Sequence, residues 1–88
     1  SVMVGLYQNY LHWVNKMTKI ISIEGDIDKH KIEQLKMELT SAKINGEKRV
    51  EIHVYSKEEL RSVIEKLRDV FINNIYLTIK LYVHNSSS

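Results

Sequence analysis

Residues 49–55 alternate Val50, Ile52 and Val54 with Glu51, His53 and Tyr55, and residues 75–84 alternate Ile75, Leu77, Ile79, Leu81 and Val83 with Tyr76, Thr78, Lys80, Tyr82 and His84. Successive side chains of a strand point to opposite faces, so each segment predicts a strand with one apolar and one polar side. Strands covered on both sides read instead as unbroken apolar runs, so helices are expected on one face of the sheet only. Residues 19–24, with Ile20, Ile21 and Ile23, supply a further strand. Leu60, Val63, Ile64, Leu67, Val70 and Phe71 recur at helical spacing and predict an amphipathic helix over 56–74. The expectation is an α/β fold: a two-layer sandwich of a three- or four-stranded sheet, two amphipathic helices on one face, and an N-terminal helix or strand.

The boundaries have their own chemistry. Ser56, with Glu59 three residues on, reads as a capping box, and Asn73-Asn74 as a left-handed stop. An earlier helix over 28–45 is capped by Asp28, carries Ile32, Leu35, Leu39 and Ala42 on one stripe, and ends at Gly46. A rival reading stops it near Thr40 and turns Asn45-Gly46 into a hairpin. An internal echo favours the helix: Asp28, Ile32, Leu35, Leu39, Ala42, Ile44 and Asn45 recur as Ser56, Leu60, Val63, Leu67, Val70, Ile72 and Asn73. Both helices should then dock alike. In residues 1–16, Met3, Tyr7, Tyr10, Leu11 and Val14 fit a helical stripe, while a strand pairing with 19–24 is the competing reading. Residues 17–84 form the core unit and 85–88 a disordered tail.

Composition narrows the function classes. A chain of 88 residues holds one small domain, and its 43% hydrophobic and 27% charged residues are those of a globular protein. There is no cysteine, hence no disulfide and no thiolate nucleophile or ligand. The net charge of +2 is too balanced to announce a polyanion partner. No apolar run is long enough for a bilayer, so a soluble, cytoplasmic protein without a membrane partner is expected.

The polar side of the sheet is the most informative feature. His53, Tyr55, Tyr76, Lys80, Tyr82 and His84 would share one face if their strands are neighbours. Such a face either stacks nucleobases and touches phosphates, or is covered by the N-terminal segment or a twofold copy. The large side chains Tyr7, Tyr10 and Trp13, with Met37 and Ile44 opposite the stripe of the earlier helix, are candidate oligomer contacts. Asp26, Asp28 and His30 have the spacing of a weak cation site, but acidic residues before a helix are expected for capping. The four histidines show no metal-ligand spacing, and no phosphate loop, nucleophile elbow or catalytic triad is present. Neither catalysis, a metal nor a cofactor is expected.

The run Lys19-Ile-Ile-Ser-Ile-Glu-Gly-Asp-Ile-Asp28, the helix with Leu35 and Leu39, and Arg49-Val-Glu-Ile-His-Val54 together resemble the opening of the sulfate-transporter and anti-sigma-antagonist (STAS) domains. That family places an apolar strand, a Gly-acid-apolar-Asp turn, a helix and another strand in this order. The resemblance implies a non-catalytic, partner-binding module. It also makes Ser56, at the start of the second helix, the position matching the family's phosphorylated serine or threonine; the family's Asp-Ser-x-Gly loop is absent here. The expected function is a protein-interaction or assembly module that self-associates as a dimer; the alternative is a small nucleic-acid-binding protein using the Tyr/His/Lys face.

Overall fold

The computed structural model describes residues 18–85. The expectations for residues 1–16, including Tyr7, Tyr10 and Trp13, and for the tail beyond Asn85 lie outside the described residues. The chain runs β1 (Thr18–Glu24), α1 (Lys29–Ile44), β2 (Arg49–Tyr55), α2 (Leu60–Ile72) and β3 (Thr78–His84). The three strands lie in the order β1-β2-β3 and both pairs are parallel. Two successive crossovers of the same hand, moving the same way across a sheet, leave both helices on one face. The result is the small α/β sandwich that the alternating strands predict.

The core sits between the layers. Ile21, Ile23, Val50, Ile52 and Val54 face Leu35, Leu39, Ala42, Val63, Leu67 and Val70, all buried, with Ile79, Leu81 and Val83 partly buried beside them. The internal echo is seen in the docking: Leu35, Leu39 and Ala42 of α1 occupy the buried stripe that Val63, Leu67 and Val70 occupy in α2. Asn45 and Asn73 are the corresponding C-caps. The hairpin reading of Asn45-Gly46 is overturned, because α1 continues to Ile44 and Gly46 takes the left-handed φ of +76° just after it.

Three boundary expectations are corrected. Asp28 caps α1 as anticipated, its carboxylate accepting from the Lys31 N–H at 2.9 Å, but α2 begins at Leu60 rather than near Ser56, with Glu59 as an N-cap that makes no side-chain bond. The Ser56 hydroxyl instead accepts from the Glu58 N–H at 2.9 Å, a local turn that competes with helix. No residue other than glycine has positive φ among the described residues, so Asn73-Asn74 ends α2 otherwise. The buried Asn74 side chain donates to the Val70 carbonyl at 2.6 Å. The last strand starts at Thr78, not Ile75, because the Leu77 N–H turns back to the Asn74 carbonyl.

Glu58 replaces the missing cap as the local organiser. It accepts from the Ile27 N–H at 2.8 Å and from the Ser62 hydroxyl at 3.3 Å, and pairs with Lys66. The Ile27 N–H, aided by Lys66, holds its carboxyl below the usual glutamate range. A depressed folded-state pKa contributes stability above the ordinary glutamate pKa and loses it as pH falls through the depressed value. Glu58→Gln is therefore expected to cost about 1 kcal/mol at pH 7, since charge-assisted bonds outweigh neutral ones. Urea midpoints of the two proteins should converge in acid; a gap unchanged down to pH 2 would refute the assignment.

Candidate interaction face

Parallel register sets the exposed side of the sheet in rows. Thr18, Arg49 and Thr78 form the first; Ile20, Glu51 and Lys80 the second; Ser22, His53 and Tyr82 the third; Glu24, Tyr55 and His84 the fourth. Because neighbouring strands run in step, the alternate residues of β2 and β3 stand side by side. The last two rows thus bring four rings together. His53 stacks on Tyr82 with centroids 4.7 Å apart and planes 12° from parallel, and Tyr55 stacks on His84 at 4.5 Å and 11°. The tyrosines remain well exposed, each at 40%.

A hydrogen-bonded chain crosses this tier. Nδ1 of His53 and Nε2 of His84 are 2.9 Å apart, and Nε2 of His53 is 3.3 Å from Oε1 of Glu51. The two imidazole planes differ by only 10°, with centroids at 5.2 Å, so the rings meet edge to edge through that bond. For neutral imidazoles beside an ionised carboxylate, one proton arrangement satisfies both contacts. In that arrangement His53 donates its Nε2–H to Glu51, and its bare Nδ1 accepts the Nε2–H of His84. Charge on the face is balanced: Arg49 and Lys80 stand against Glu24 and Glu51.

Of the residues expected on this surface, His53, Tyr55, Lys80, Tyr82 and His84 are on it, Lys80 one row from the rings. Tyr76 is not: it lies in the turn before β3, with the Lys43 ammonium 4.5 Å from its ring centroid. Met37 and Ile44 are exposed at 73% and 80% on α1, in the helix layer rather than among the rings, and Met37 lines the cleft between α1 and residues 20–24 of β1. Ser56, the candidate phosphosite, is 4% exposed with its oxygen engaged, so its hydroxyl is not presented at the surface. In the turn before α1, Asp28 is committed to its cap and the Asp26 carbonyl accepts from the Lys31 ammonium at 2.8 Å. His30, in the first turn of α1, is exposed. Glu51, which alternation puts on the same face as His53, is not among the expected site residues, although a carboxylate two residues before a histidine on a strand is within its reach.

Among the described residues no helix is long and apolar enough to cross a membrane. No protein-family model, curated protein or solved structure matches the chain.

Proposed function

We propose that this chain is a non-catalytic assembly module that binds a second copy of itself through the open face of its sheet. One observation carries the reading: among the described residues an all-parallel sheet, an arrangement found almost only with both faces covered, has both helices on one side and a tier of tyrosines and histidines on the other. Exposed tyrosines on a rigid sheet are the side chains that anchor interfaces. A face with equal numbers of cations and carboxylates suits a twofold contact, where the same patch must meet itself.

The nucleic-acid reading asks for ring faces turned outward and a surplus of cations. Here the rings stack on one another, and Glu24 and Glu51 share the surface with Arg49 and Lys80. Sedimentation equilibrium is expected to give a dimer that dissociates on dilution and changes little with salt. Monomers persisting at millimolar concentration would refute the proposal. Tight binding of a single-stranded oligonucleotide that weakens steeply with salt would favour the alternative.

A further inference from the structure

We propose that His53 and His84 are half of a binding site for a late divalent transition cation, Zn2+ being the simplest, and that the same pair from a second copy supplies the other half. This rests on the self-association proposed above. Metal-binding histidines characteristically donate their second ring N–H to a carboxylate, which fixes the tautomer and leaves the ligating nitrogen bare. His53 is placed in that way: its Nε2 faces Glu51 at 3.3 Å, and its Nδ1, bare in the tautomer that satisfies Glu51, lies 2.9 Å from Nε2 of His84. Imidazole nitrogens suit zinc, copper and nickel. Two nitrogens bound at about 2.0–2.1 Å in a tetrahedron lie about 3.3 Å apart with each lone pair about 35° off the line between them, so the in-line pair opens by a few tenths of an ångström and both rings turn in their planes to admit the ion.

The proton between the rings is accounted for without loss. His84 gives up its Nε2–H and carries its proton on Nδ1 instead, so both ligands stay neutral. Among the described residues no group of three or more His, Cys, Asp or Glu side chains is placed to hold a metal, so the described residues of one chain offer two ligands where zinc takes four. A twofold axis through the ring tier supplies the missing pair. The two Glu51 carboxylates behind the histidines then balance the charge of the ion. Sequence spacing does not disclose such a site, because its ligands are 31 residues apart and meet only through the β2–β3 register.

The test titrates the whole purified chain, freed of metal with EDTA, with zinc chloride in a calorimeter, and follows mass by sedimentation. The expected result is one zinc per two chains with a shift toward dimer. His84→Gln is expected to abolish zinc binding, and Glu51→Gln to weaken it 10- to 100-fold, the usual effect of losing a carboxylate behind a ligand. His12→Gln and His30→Gln should keep the response. One zinc per chain without a change in mass, or zinc binding that survives His84→Gln, would overturn the proposal. A metal-free dimer that takes up no zinc would overturn it alone, whereas monomers with and without zinc would overturn the self-association reading with it.

Discussion

Replacing Ile52 by Ala is expected to cost about 3–4 kcal/mol of stability. Ile52 is fully buried at the centre of the middle strand, flanked in register by Ile21 and Leu81 and covered by the inward stripes of both helices. Removing its outer carbons sacrifices burial and leaves a cavity that a sheet bonded on both sides cannot close, a change that costs 2–5 kcal/mol in comparable cores. For a domain of this size each kcal/mol moves the melting temperature by roughly 4–8 °C, so a fall of about 12 °C or more is expected in a thermal melt. Ile20→Ala is the matched control. The same residue type, one strand away and one position out of phase, points to the open face and is 65% exposed. Its loss should leave the melt of the dilute protein nearly unchanged. Equal costs for the two substitutions would contradict the assignment of faces.

The second large effect falls on association. Tyr55→Ser with Tyr82→Ser strips both tyrosines from the ring tier while leaving the helix-facing core untouched. Aromatic anchors at the centre of an interface commonly contribute 2 kcal/mol or more each. The pair is therefore expected to weaken dimerisation by at least about a hundredfold, read by sedimentation equilibrium. The far-ultraviolet circular dichroism spectrum should be retained and the urea midpoint should shift modestly, because the lost stacking is exposed. A double variant that associates as strongly as the parent would place the contact elsewhere.

The two-faced sheet was legible because alternation is a local property. Val50, Ile52 and Val54 announce an inner face whatever the rest of the chain does, and the stripes of Leu35-Leu39-Ala42 and Val63-Leu67-Val70 announce helices that dock on it. What stayed hidden depends on partners distant in sequence. Ser56 reads as a cap until Glu58, bound to Ile27 across the molecule, draws the preceding turn out of the helix. Tyr76 continues the alternation of β3 on paper, but the bond from Leu77 to Asn74 ends the strand before reaching it. The contact of His53 with His84 required the parallel register, which alternation alone does not fix.

The absence of cysteine from the chain allows a single label to be placed at will. Spin labels at Ser22→Cys, on the open face beside His53, and separately at Ser41→Cys, on the exposed outer side of α1, report by pulsed dipolar spectroscopy which surfaces meet in the dimer. Sheets packed face to face lie about 10 Å apart, so the Ser22 labels should show strong coupling at a separation on the order of 20 Å, and the Ser41 labels a markedly longer one. A shorter distance at Ser41 than at Ser22, or no coupling from Ser22 under conditions where the protein sediments as a dimer, would contradict the account.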